Sequence, residues 1–213
     1  ISYAREQASH AEGSGSEARG VASHAEGRNT FINWTGDYGH AEGQGTYVNG
    51  IAAHAEGYRT SASGDYSHAE GSETKVTGDY SHAQGRNTVV AGDYASGFGY
   101  DTKISSTGNY SMVGGYKSLA HQAKSFAFGS EVTSSNNENM FTIGTRFGVK
   151  SNGYGTYPVW EDNQGYISKA GSNYYTMFAV GTGDNISNTL GSGFEVGYYR
   201  DGGNSRTVPF VEI

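Results

Sequence analysis

The chain has 213 residues, with 34 Gly, 2 Pro, no Cys and a formal net charge of -7. Abundant glycine without proline excludes collagen, and the lack of cysteine excludes disulfides and thiolate metal sites. The acidic balance speaks against nucleic acid or an anionic membrane as partner, no apolar run approaches the ~18 residues of a membrane span, and 13% aromatic content is too high for disorder.

The chain opens on Ile1 in mid-pattern, which leads us to expect a fragment or a processed product. Ser-His-Ala-Glu-Gly stands at 9–13, 23–27 and 67–71, with variants at 39–43, 53–57 and 81–85. Its histidines are spaced by 14, 16, 14, 14 and 14 residues. The frame continues without His at 95–99, 111–115 and 125–129, and a weaker pentapeptide such as 60–64 or 74–78 lies between successive copies. The longer spacings coincide with two-residue insertions at 30–36 and 102–108. The unit is therefore seven residues, Ser/Thr-x-Ala/Val-x-Gly-x-x, and two units make one 14-residue coil.

Each unit reads as a short strand and a turn. Ser/Thr and Ala/Val at i and i+2 share one face, the x positions share the other, and Gly supplies the positive φ of a tight turn. Gly-Asp-Tyr at 36–38, 64–66, 78–80 and 92–94 is such a turn. A helix is excluded, because no 3.6-residue apolar period exists and Gly recurs every seventh residue. Residues 1–135 are expected to form a parallel β-roll whose two strands approach closely because the inward residues are small. Inward Thr also argues against an ice-binding array.

A thin roll buries little apolar surface, so a second burial surface from symmetric association is expected. The outward pair of the first strand is nearly constant: His10/Glu12, His24/Glu26, His40/Glu42, His54/Glu56, His68/Glu70 and His82/Gln84, then Met112, and Phe126 with Phe128. The outward pair of the second strand drifts, from Glu17/Arg19 through Ser61/Ser63 to Val89/Ala91. Constancy followed by apolarity marks the first strand as the trimer-facing one and leaves the second in water.

The paired seven-residue pattern over about residues 2–130 resembles the YadA-like head of trimeric adhesins. That resemblance implies a left-handed parallel β-roll packed as a homotrimer about an axis. The Ser-His-Ala-Glu-Gly form, with His/Glu where that family usually carries aliphatics, is more similar to bacteriophage tail fibres and host-binding tail proteins. No coiled-coil stalk or membrane barrel is evident. Related tail proteins often end in a self-cleaving trimerisation chaperone, which makes Ile213 a candidate processing point.

His-x-Glu places both side chains on one face about 7 Å apart, and stacking places His over His at ~4.8 Å. Read plainly, this is a polar ladder in which Glu pairs with His of an adjacent chain. The alternative is an ion held by three His on the axis. No metal and no other cofactor is assigned. Tyr38, Tyr66, Tyr80, Tyr94 and Tyr110 fall at one turn of successive coils and are expected to stack there.

From about residue 136 the frame gives way to a duplication with an offset of 37: Met-Phe-Thr-Ile-Gly-Thr from Met140 and Met-Phe-Ala-Val-Gly-Thr from Met177. Residues 136–213 are expected to form a second, β-rich region with aromatics in Gly/Asn-rich loops, including Tyr174, Tyr175, Tyr198 and Tyr199. Tyr154, Tyr157, Trp160, Tyr198 and Tyr199 are the candidate receptor-binding residues, because Tyr and Trp offer stiff contact area with a polar tip. No isolated carboxylate pair, serine nucleophile, phosphate loop or zinc motif is present, so an enzyme is not expected. The reading is an extracellular virion protein: a trimeric tail fibre or tail-tip fragment whose roll is a rigid spacer, contacting other tail proteins and a host-surface glycan or protein. The alternatives are a bacterial trimeric adhesin head, a purely structural shaft and, last, a polysaccharide depolymerase.

Overall fold

The structure is a computed structural model. It describes the backbone of residues 1–135 and 141–150 and of the strands Gly165–Tyr166, Tyr174–Thr182, Gly193–Arg200 and Thr207–Glu212, with side chains through 134 and at 141–144. The protein is an all-β parallel solenoid of about ten turns, built of roughly 14-residue coils and followed by a short β region. It divides into two units, Ile1–Ser106 and Thr107–Ile213. No helix among the described residues is long and apolar enough to cross a membrane.

In the first unit each coil contributes a five-residue strand, such as His54–Tyr58 or His68–Ser72, and a two-residue strand, such as Ser61–Ala62 or Lys75–Val76. Like strands pair in parallel with identical residues in register: His54, His68 and His82 align, as do Gly57, Gly71 and Gly85. At the insertion the register steps by 16, Phe31 opposite Tyr47, and the extra residues bulge into the turn that carries Trp34.

Burial alternates as the pleat requires. The interior is a column of small residues, among them Ala25, Ala41, Ala55, Ala69 and Ala83 from the long strands and Ile32, Val48, Val76 and Val90 from the short ones, all fully buried. Volume is traded within a coil. Where Ile32 and Val48 fill the interior, the Ser position becomes Gly39, whose missing methyl would lie 2.8 Å from Val48 Cγ1. Opposite Val90 the Ala position becomes Gly97, where a methyl would lie 2.7 Å from Val90 Cγ2. This is close packing enforced one methyl at a time.

Inward hydroxyls divide into two kinds. Ser81 Oγ donates to the Gly92 carbonyl at 2.8 Å and accepts from the Ala95 N–H at 3.0 Å, linking adjacent coils. Thr88 Oγ1 donates to the Gly99 carbonyl at 3.2 Å and accepts from Thr102 Oγ1 at 3.1 Å. Thr60 and Thr74 are equally buried, but their Oγ1 atoms have no partner. A buried unpaired hydroxyl costs free energy that a methyl does not. Thr74→Val is therefore expected to be neutral or to stabilise by up to about 1 kcal/mol, and Thr88→Val to destabilise by about 1 kcal/mol. Urea midpoints of the two variants check this, and equal losses would contradict it.

The Gly-Asp-Tyr turns correct the sequence reading in one respect. The positive φ falls on tyrosine, at 55° for Tyr66 and 54° for Tyr80, and not on the glycine before it. That glycine is required for approach: a methyl on Gly64 would overlap the Gly78 carbonyl. The aspartate closes the turn on the preceding coil, Asp79 Oδ1 accepting the Asp65 N–H and Asp65 Oδ1 the Ile51 N–H, both at 2.8 Å. The left-handed tyrosine is offset by its neighbours, since Tyr66, Tyr80 and Tyr94 stack at 4.9 and 5.0 Å with half of each ring in water.

In the second unit the same long-strand register runs Met112, Phe126, Phe141, Phe178, all in parallel. Parallel stacking thus continues past residue 135. Phe126–Ser135 spans both strand positions of a coil, pairing with Met112–Tyr116 and with Leu119–Ala120. The duplicated segments lie side by side, Gly144 opposite Gly181 and Thr145 opposite Thr182. From Tyr174–Thr182 onward the pairing turns antiparallel, to Gly193–Arg200 and then Thr207–Glu212.

Candidate functional site

The long-strand face of the first unit carries two parallel files, one of imidazoles and one of carboxylates. Because every coil repeats His-Ala-Glu, the parallel ladder sets His on His and Glu on Glu. The rings of His24, His40, His54, His68 and His82 stack in nearly parallel planes, with centroids 4.6 to 4.9 Å apart. His10 meets His24 edge-on at 5.0 Å, and His82 ends the file edge-on against Phe98 at 5.6 Å.

Within each strand the side chains lean together across the two-residue spacing. Nε2 to Oε2 is 3.3 Å for His10–Glu12, 3.9 Å for His24–Glu26 and 3.8 Å for both His54–Glu56 and His68–Glu70. Among these, only His10 with Glu12 reaches hydrogen-bond distance. Nε2 of His24, His40, His54, His68 and His82 is shielded from solvent and has no hydrogen-bond partner within the chain. Gln84 stands where the file calls for a sixth carboxylate, and its amide donates to Glu70 Oε1.

This packing lowers imidazole basicity. Burial, and then the neighbouring His40 and His68, push His54 below the ordinary imidazole range against the opposing pull of Glu56 and Glu42. Burial and then His68 do the same to His82, opposed by Glu70. The unfolded chain therefore binds more protons than the folded one below about pH 6.5. Stability carried by the neutral rings is complete above about pH 6.5 and is lost as pH falls through their lower folded values. The melting temperature is expected to hold from mildly alkaline buffer down to about pH 6.5 and then to fall, with a shallower fall in His54→Gln. Equal slopes in parent and variant would contradict this.

In the second unit the equivalent face is apolar. Met112 is exposed, Phe126 stacks on Phe128 and on Phe141 at 4.5 Å, and Ile143 is exposed. Of the aromatic residues singled out for receptor contact, Tyr154, Tyr157 and Trp160 lie outside the described residues. Tyr198 and Tyr199 were expected in loops, as were Tyr174 and Tyr175. The structure places all four on paired strands, Tyr198 opposite Tyr175 and Tyr199 opposite Tyr174, consistent with the strand preference of such aromatic runs.

Two features escaped the sequence reading. On the short-strand face, expected to lie in water, Glu17 pairs with both Arg5 and Arg19, and Arg19 lies over Phe31 at 4.5 Å and Trp34 at 5.6 Å. The hydrogen bond from Arg19 is the largest influence holding Glu17 below the usual carboxylate range. The signal was Trp34 inside the first insertion. The second feature is the approach of His68, Glu70 and His82, whose ligand atoms lie within 4.8 Å of one another. The signal there was Gln84. No protein-family model matches the chain, and no curated protein matches it.

Proposed function

We propose that the chain is a homotrimeric spacer and attachment segment of a bacteriophage tail fibre or tail tip, with its His/Glu face on the three-fold axis. The observation that supports this most is the file of shielded Nε2 atoms without partners in their own chain. Buried polar groups without partners are costly, and a neighbouring chain that brings its own Glu file alongside would supply acceptors layer by layer. The Met112, Phe126 and Ile143 face supports the same reading, because an apolar strip of this kind gains by burial between chains.

On this reading the solenoid sets distance and stiffness and makes no chemistry. The C-terminal β region would present Tyr154, Tyr157, Trp160, Tyr198 and Tyr199 to a host-surface glycan or protein. Three equivalent sites on one rigid body raise avidity without tight single-site contact. Pull-down of the labelled protein on a panel of bacterial cells tests the contact. A strain that retains the parent should release a Trp160→Ala/Tyr198→Ala double variant. Equal retention of both proteins would remove the aromatic residues from the binding role.

A further inference from the structure

We infer that His68, Glu70 and His82 form a binding site for one divalent first-row transition ion, zinc(II) foremost, built within a single chain. Their ligand atoms lie within 4.8 Å of one another, the one such group among the described residues. The donors come from two adjacent coils held in parallel register, His68 opposite His82 and Glu70 opposite Gln84. All three protein donors therefore belong to one chain, and in this layer the ion takes the place of the acceptor that the proposed function draws from a neighbouring chain elsewhere in the file.

Two further observations fit an ion. Nε2 of both histidines is shielded from solvent and unpartnered, so coordination displaces no internal hydrogen bond. Glu70 Oε1 takes the Gln84 amide while Oε2 faces His68 Nε2 at 3.8 Å, so one oxygen is anchored and the other is offered, as an outer partner does for a metal-bound carboxylate.

Gln84 also sets this layer apart from the others. Glu26, Glu42 and Glu56 each have a like charge on both sides along the file, whereas Glu70 has an amide on one. Two imidazoles and one carboxylate make a borderline donor set, suited to zinc, cobalt or nickel and not to magnesium or calcium, which need oxygen cages. Ligands around a tetrahedral zinc sit roughly 3.3 Å apart, a closure within reach of side-chain rotation from the present spacing. Three protein donors leave a fourth position for water or for a donor from outside the chain.

Titration of the whole chain with zinc chloride, followed by calorimetry, and with cobalt(II), followed by visible absorption, tests the assignment. One saturable zinc ion per chain is expected, with a cobalt spectrum of tetrahedral type and no heat from magnesium. Glu70→Gln and His82→Gln should each weaken zinc binding about tenfold or more, while His24→Gln, in the same file but outside the trio, should bind as the parent does. All three substitutions lie on the outward face, and an unchanged far-ultraviolet dichroism spectrum confirms that each variant is folded. Absence of saturable zinc binding by the parent would overturn the assignment. So would parent-like affinity in Glu70→Gln, or equal weakening by His24→Gln and His82→Gln.

Discussion

Gly71→Ala is expected to cost about 3 kcal/mol or more, with a matching drop in melting temperature, whereas Gly45→Ala in the same unit should cost about 1 kcal/mol at most. The two positions separate two demands that glycine meets. Gly71 has φ +107°, and a methyl there would overlap the Gly85 carbonyl oxygen, so the ladder must open to admit it. No coil departs from glycine in that file, from Gly13 through Gly27, Gly43 and Gly57 to Gly129. Gly45 has φ +67°, and its added methyl would rest 3.5 Å from Arg59 Cγ. Its counterparts in the adjacent coils, Asn29 and Arg59, already hold φ of 54° and 53°. Thermal melts of both variants decide the matter. Similar losses would mean that backbone conformation, and not contact between coils, governs the glycines.

Ala69→Leu is the second large effect, with an expected cost of about 3 kcal/mol. Ala69 is fully buried and lies between Ala55 and Ala83 in the ladder. The molecule shows how little room there is, since the Ala position becomes Gly97 opposite Val90. Added methylenes have nowhere to go except between strands. Lys75→Leu, on the exposed side of the neighbouring short strand, should shift stability by less than about 0.5 kcal/mol. Urea unfolding of the pair measures the contrast, and a tolerated leucine at 69 would mean that the interior is looser than the alternation of buried residues implies.

Much of this architecture was legible because it is written in a short period. The seven-residue frame, the inward Ser/Thr and Ala/Val, and the stacking of His on His all follow from alternation in a strand repeated in register. The turns were harder. In the Gly-Asp-Tyr turns Gly was expected to take the positive φ, yet Tyr66 and Tyr80 take it, because contact between coils reserves Gly64 and Gly78 for close approach. Propensity is a property of one residue, while the overlap at Gly64 belongs to two coils.

Past residue 135 the spacing hides the register. Phe126 pairs with Phe141 and Phe141 with Phe178, so successive steps of 15 and 37 residues continue one ladder. The offset between Met140 and Met177 was visible in the sequence, but a repeat distance does not say that its copies lie side by side. The Arg19, Phe31 and Trp34 cluster and the approach of His68, Glu70 and His82 were not legible either. Both arise where the repeat is interrupted, by an insertion in one case and by Gln84 in the other, and both depend on where side chains lean.

Native molar mass by light scattering at neutral pH tests the axial packing of the His/Glu face most directly. A mass near three times 22.6 kDa is the result the account predicts. A stable species of 22.6 kDa under the same conditions would contradict it, and the His/Glu face would then be a surface open to solvent.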